Sequence, residues 1–274
     1  MDICDEYRGI NLDNHMSEAY KNALYDEVSD HYEQHMPPSQ YGAVSGRGTD
    51  LAIRVELSFI DYCKLHGLSH FILWVDLSKA FDRVIRELVL GIPHDAEWFL
   101  QQGGAPEKTI RLLKNLHAKS WITHGDIDSA VSIRLGGKQC CKFGGAAFNG
   151  VYSVGLVMLR DELLDVSVID VTFVDDECLM LSAPAPRVQD ERVDVLLTKL
   201  TSSIFDMLNF SMNWKPGNTK CSIVYRGARS AEHYRRRRRS PGQSLAVQVP
   251  GRDESITVVS ECKHLGGVAS GTGQ

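Results

Sequence analysis

The sequence predicts an α+β fold, an antiparallel sheet with helices on one face, and three observations carry that expectation. HFILWVD (70–76) is a compact apolar run of strand length that ends in a carboxylate. DVTFVDDECLM (170–180) reads as a hairpin, with strands at 166–174 and 177–182 around an Asp-Asp turn. Long segments between and after these runs repeat apolar residues at helical spacing.

The elements follow in chain order. Residues 12–35 have helical spacing, and Pro37-Pro38 closes them. His31 and His35 stand one helical turn apart, but Glu33 is out of register for H-E-x-x-H, so they read as exposed histidines. Thr49 can cap a second helix with the stripe Leu51, Val55, Phe59 and Tyr62 or Cys63, closed by Gly67. After the strand at 70–76 come a short helix through Val84, Ile85, Leu88 and Val89, and another opened by Pro106 with Ile110, Leu113 and Leu116 inward. Trp121 to Leu135 alternates loosely, as a hairpin would. A glycine-rich segment (136–150) leads into a helix with Tyr152, Leu156, Leu159 and Leu163. Beyond Pro184 and Pro186, Val193, Leu196, Leu197, Leu200, Ile204 and Leu208 mark a strong helix. Two short strands (221–225 and 256–260) flank an arginine-rich loop at 226–244.

Composition narrows the class. The 274 residues are 43% hydrophobic and 24% charged, enough for one large domain or two small ones. No apolar run reaches the ~18 residues of a membrane span, and no signal-peptide core opens the chain. Seven scattered cysteines without a C-x-x-C pair fit a reduced intracellular setting, nucleus or cytoplasm. Net charge is −5. Arg235 to Arg239 offset a more acidic body, and five adjacent arginines read as a solvated, disordered loop or as a phosphate- or import-receptor-binding motif.

Asp76 ends one apolar strand, and Asp175 and Asp176 interrupt a pair of others. A buried strand holds a terminal carboxylate with little entropy left to lose. Adjacent anions repel unless a cation or donor meets them. Two such strands side by side would bring Asp76 within a few Å of Asp175, and an oxygen-only cluster there suits Mg²⁺ or Mn²⁺ over Zn²⁺. Asp-Asp is also common in solvated turns, so the dipeptide alone decides nothing.

The surrounding residues add a resemblance. WVDLSKAFDRV (74–84), GGKQCCKFGGAAFN (136–149), TFVDDECL (172–179), LNFSMNWKPGNTK (208–220) and CKHLGG (262–267) occur in the order of the A to E motifs of reverse transcriptases. The chain resembles those of non-LTR (LINE-like) retrotransposons. DEYRGINL (5–12) is similar to the fingers motif R-P-I, and QYGAVSGRGTDLAI (40–53) to the Q-x-G…R-x-T segment before motif A.

The resemblance implies a right-hand polymerase palm with partial fingers and a thumb that is missing. Partial fingers would occupy 1–68, the motif A palm 69–110, a hairpin and the motif B loop 111–150, and the remaining palm motifs 151–274. It implies an RNA-directed DNA polymerase that joins dNTPs to a primer 3′-hydroxyl on an RNA template, with a DNA primer and two Mg²⁺ ions, or Mn²⁺. Asp76, Asp175 and Asp176 would be the catalytic and metal-binding carboxylates. Arg8 would clamp the triphosphate, Phe81 would be the steric gate against a ribose 2′-hydroxyl, and Gln139 would contact nucleotide or template. Val174 would pack under the primer end, Lys220 or Lys215 would serve as the motif D lysine, and Lys263, His264, Leu265 and Gly266 would belong to the primer grip.

Some positions depart from the family's pattern. Cys140 stands where motif B has glycine, Asn218 at the usual motif D lysine, Cys262 at the tyrosine of Y-x-x-L-G, and Gly9 at the proline of R-P-I. Together these suggest a second reading, a catalytically impaired remnant. A third, an aspartate-nucleophile phosphatase, needs a second aspartate two residues after Asp76, where Ser78 stands.

Overall fold

The computed structural model describes residues 15–84, 104–118, 120–122, 131–133, 136, 142–201, 205, 208–237, 244–249 and 251–270. Arg8, Gln139 and Cys140 lie outside them, as does most of the short helix expected through Val89. The chain is α+β, and it divides into two compact units, residues 1–36 with 79–151, and residues 37–78 with 152–274.

In the first unit, helix α1 (His15–Glu33) buries Lys21, Leu24, Val28 and Tyr32. His35 sets its ring Nδ1 2.9 Å from the carbonyl of His31, so the histidine pair closes a helix end. Helix α3 (Glu107–Ala118) turns Ile110 and Leu113 inward, and its Thr109 hydroxyl donates to Glu27 of α1. Strands β2 (Ser120–Ile122) and β3 (Val131–Ile133) form the expected antiparallel pair. Phe81 opens a short 3₁₀ turn (Phe81–Arg83) and stacks on Phe148 with ring centroids 5.3 Å apart. Gly136 adopts φ +91°, and a Cβ there would lie 3.0 Å from the Asp82 carbonyl, so the chain requires glycine at this approach.

Helix α4 (Lys142–Glu162) begins inside the segment that reads as a glycine-rich loop. Each helical glycine costs about 1 kcal/mol relative to alanine. Burial of this stretch on nearly every side, with Phe143, Ala146, Ala147, Phe148 and Val151 among the buried residues, outweighs that cost.

The second unit is built on a six-stranded sheet ordered β4-β5-β1-β6-β8-β7. Its strands are β1 (Ser69–Val75), β4 (Ile169–Phe173), β5 (Asp176–Ala183), β6 (Lys220–Val224), β7 (Ser244–Val249) and β8 (Arg252–Val258). The sheet is mixed, because β6 and β8 run parallel while the other pairs are antiparallel. β1 is central and buried at all seven positions, which explains its unbroken apolar run.

Helices cover both faces, where the sequence suggests one. Helix α2 (Thr49–Leu65) packs Ala52, Phe59, Ile60 and Cys63 against Ile72, Trp74, Val171, Cys178 and Met180. The alternate residues Phe71, Leu73, Val75, Leu179 and Leu181 are equally buried but lie outside that cluster. Successive strand residues face opposite sides, so the second face is covered too. Helix α5 (Pro186–Lys199) touches β5 and β1 with Val193, Leu196 and Leu197 buried. The buried stripe of α2 is rotated from the expected one, leaving Leu51 and Tyr62 exposed. Small Ala52 and Cys63 let the helix approach the sheet, and Glu56 is buried because it is hydrogen-bonded.

The basic segment also differs from the expected solvated loop. Ser230–Arg237 is a helix, α6, and Arg236 and Arg237 turn back onto Asp190 of α5. A hairpin of β9 (Glu261–His264) and β10 (Gly267–Ser270) ends the described chain.

Candidate active site

β1 and β5 pair antiparallel with Val75 opposite Glu177. The pairing ends there: Asp76 follows β1 directly and Asp176 opens β5, near enough that the charge of Asp76 acts on Asp176. β4 pairs Phe173 with Asp176, which leaves Val174 and Asp175 as a two-residue turn. The hairpin therefore forms where the sequence places it, but its two-residue turn is shifted one residue toward the N-terminus, to Val174–Asp175 instead of Asp175–Asp176.

Asp76 is held from the loop before β6. Asn213 donates its side-chain amide to Asp76 Oδ2 at 2.7 Å and its backbone N–H to the Asp76 carbonyl at 2.7 Å. The Thr219 hydroxyl lies 3.3 Å from both the Asp76 N–H and its carbonyl oxygen. One carboxylate oxygen is thus oriented by an amide. Neither Asn213 nor Thr219 stands out in the sequence, beyond their place in the stretch resembling motif D.

Partial loss of hydration raises the Asp176 pKa above the ordinary aspartate value; His264 opposes this and the negative charge of Asp76 reinforces it. Negative charge therefore accumulates at this end of β1 and β5. Among the described residues no three histidine, cysteine, aspartate or glutamate side chains converge tightly enough to form a ready-made metal cage. The donor set nevertheless fits a hard divalent cation. Asp76 and Asp176 offer carboxylate oxygens, and a dication would relieve the repulsion that Asp176 registers.

The turn itself is strained. Val174 has φ +59°, a left-handed conformation that a β-branched residue rarely adopts. Gln40, fully buried, receives the Val174 N–H on its Oε1 at 3.1 Å and the Gly42 N–H on the same atom at 2.9 Å. Gln40 and Gly42 appear in the sequence only as part of Q-x-G, with no local sign of this contact.

Below the turn, Glu177 is buried and accepts a hydrogen bond from the Thr172 hydroxyl at 2.6 Å. Burial, and next the nearby Asp170, push its pKa well above the ordinary value. Asp170 itself forms a two-pronged pair with Arg160, at 2.8 and 2.6 Å.

The terminal hairpin is tied to α2. His264 Nδ1 lies 2.5 Å from Glu56 Oε1, and Trp74 Nε1 donates to Glu56 Oε2 at 3.2 Å. Leu265 and Gly266 both have positive φ, as a two-residue hairpin turn requires. Leu265 packs on the α2 cluster, while Lys263 is exposed. Lys220 starts β6 opposite Trp74 and is half-buried. Phe81, in the other unit, combines its stacking on Phe148 with partial exposure.

The arginine helix forms a separate cluster. Asp190 accepts from the Tyr225 hydroxyl and from Arg237 Nε at 2.9 Å, with His233 Nδ1 at 2.7 Å and Arg236 Nη2 at 3.1 Å. Burial alone would raise its pKa, but bonds from Tyr225 and His233 and the charge of Arg237 outweigh it and hold the carboxyl below its ordinary range. A cavity of about 540 Å³ lies between α6 and the sheet, lined by Tyr225, Tyr234, Leu245 and Val258 among others.

No helix among the described residues is long and apolar enough to cross a membrane. No protein-family model matches the chain.

Proposed function

We propose that this chain is the RNA-directed DNA polymerase domain of a non-LTR retroelement, working in the nucleus or cytoplasm on an RNA template and a DNA primer. The observation that carries the reading is that Asp76, at the end of β1, and Asp176, at the start of the neighbouring β5, lie close enough for the charge of one to act on the other, beside a strained turn that bears Asp175. The ordered motifs supply the rest of the support.

On this reading Asp76, Asp175 and Asp176 hold Mg²⁺, or Mn²⁺ in its place. Two such ions would lower the pKa of the primer 3′-hydroxyl and neutralise the departing pyrophosphate. Asn213 fixes the rotamer of Asp76, so one oxygen stays oriented before any ion arrives. Arg8 is assigned to the triphosphate, Gln139 to the nucleotide or template, and Phe81 to discrimination against ribose. Lys220, half-buried at the start of β6, is assigned the proton given to pyrophosphate. The turn from His264 to Gly267, anchored through Glu56, would steady the primer end.

A second reading, a folded remnant without activity, is favoured by Cys140 and Asn218, which replace the motif B glycine and the motif D lysine. Primer extension on an RNA template with dNTPs separates the two. Extension by the wild type that Asp175→Ala abolishes supports the polymerase. Absence of extension from both, with folding intact, supports the remnant, and equal extension from both refutes the assignment of Asp175.

A further inference from the structure

We propose that Gln40 is a positioning residue: its buried side chain clamps the Val174–Asp175 turn in the left-handed conformation that aims the Asp-Asp pair. The importance of that aim rests on reading the pair as a cation site. The clamp itself rests only on geometry.

Gln40 is wholly buried, so it cannot meet a dissolved substrate and must act through its neighbours. Its Oε1 accepts two backbone N–H groups, Gly42 at 2.9 Å and Val174 at 3.1 Å. Two donors on one atom fix the amide orientation, because only the oxygen can accept them. The backbone on either side is stitched to β4. The Tyr41 N–H reaches the Thr172 carbonyl at 2.7 Å, and the Thr172 N–H reaches Ser39 at 2.9 Å. Arg47 Nη1 closes the loop from outside, donating to the carbonyls of Pro37 at 2.8 Å and Gln40 at 2.7 Å.

Residues 39–42 therefore act as a short added strand whose one side chain reaches over the end of β4. Gly42 permits that approach, since a Cβ there would lie 2.5 Å from the Val174 nitrogen. Val174 pays a conformational penalty at φ +59° that persists only where the surroundings over-determine it. The two-residue hairpin sets that conformation, and the clamp and the glycine hold the strained turn in place. Without the Oε1 acceptor, the strained turn would open more readily and hold Asp175 and Asp176 less firmly at their common end of the sheet.

The test uses the full chain in four forms: wild type, Gln40→Leu, Gln40→Glu, and Gln40→Leu combined with Val174→Gly. Two quantities are read, the hydrogen-exchange rate of the residue 174 amide and the affinity for Mn²⁺ by paramagnetic resonance. Gln40→Leu is expected to exchange the amide at least about tenfold faster and to bind Mn²⁺ about tenfold more weakly. Gln40→Glu keeps an acceptor and is expected to keep the amide protected. Val174→Gly removes the left-handed penalty and is expected to restore Mn²⁺ affinity to Gln40→Leu.

Wild-type exchange at Val174 in Gln40→Leu would overturn the clamp, as would failure of Val174→Gly to restore the lost affinity. Should Gln40→Leu not fold, recovery of folding in the double variant supports the clamp, and its absence overturns it. If no form binds Mn²⁺, including wild type, the cation-site reading fails while the exchange rates still decide the clamp.

Discussion

Glu56 and His264, 208 positions apart in sequence, meet with His264 Nδ1 2.5 Å from Glu56 Oε1. Both side chains are buried, and the second Glu56 oxygen takes the Trp74 indole N–H at 3.2 Å. One carboxylate thus joins α2, the central strand and the terminal hairpin. Glu56→Ala would leave a histidine and an indole without their acceptor. Removing one member of a buried pair costs about 3–5 kcal/mol. Urea unfolding should show a loss of this size, with faster proteolysis near residue 264; a loss below about 1 kcal/mol would mean the bond is idle.

Asp190→Asn should destabilise the chain at neutral pH by about 3 kcal/mol, at the low end for a broken buried ion pair because Arg237 keeps Asp194. The pH dependence gives a second readout. The Asp190 pKa is lowered in the fold, so its contribution is full above the ordinary aspartate pKa near ~4 and fades as pH falls through the folded value. The variant should therefore unfold with a shallower acid limb than wild type, as followed by circular dichroism.

These two residues show what the sequence made legible. The central strand, the β4–β5 hairpin and α5 were readable because burial imposes unbroken apolar runs or helical spacing on local sequence. Asp76 and Asp175–Asp176 were conspicuous because carboxylates interrupt such runs. Glu56 was hidden because a charge within an apolar stripe looks like its exposed edge until Trp74 and His264 are known to meet it. The α6 helix was unreadable because arginine repulsion argues for a loop, while the compensating Asp190 lies more than forty residues earlier. The parallel pairing of β6 with β8 leaves no local mark at all. Gln40 likewise acts on a turn 134 residues away.

Glu177 carries the opposite sign from Asp190. Its folded pKa is raised, chiefly by burial, so the native state keeps a proton that the unfolded chain releases above about pH 4.3. Stability falls as pH climbs from there toward the folded value, by up to about 1.4 kcal/mol per pH unit. Glu177→Gln imitates the neutral form and can still accept from Thr172. Melting curves between pH 5 and 8 (an approximate window set by the ordinary glutamate range) should be flatter and higher for the variant. A steeper or lower profile would contradict the assignment.

Gly42→Ala tests the close approach beneath the Asp-Asp turn. The new Cβ would stand 2.5 Å from backbone nitrogen, so the turn or the 39–42 segment must shift. Overpacking of this kind costs about 1–3 kcal/mol. Thermal unfolding should show that loss, whereas Gly46→Ala, at a glycine with open space around it, should cost only its left-handed φ.

The most direct test of the central claim is the stoichiometry and affinity of Mn²⁺ binding, measured by paramagnetic resonance on wild type, Asp76→Asn and Asp176→Asn. If the ends of β1 and β5 form one cation site, wild type binds Mn²⁺ and each substitution weakens binding at least about tenfold, since each removes a charged ligand. Binding that neither substitution changes, or no binding by a folded wild type, would contradict it.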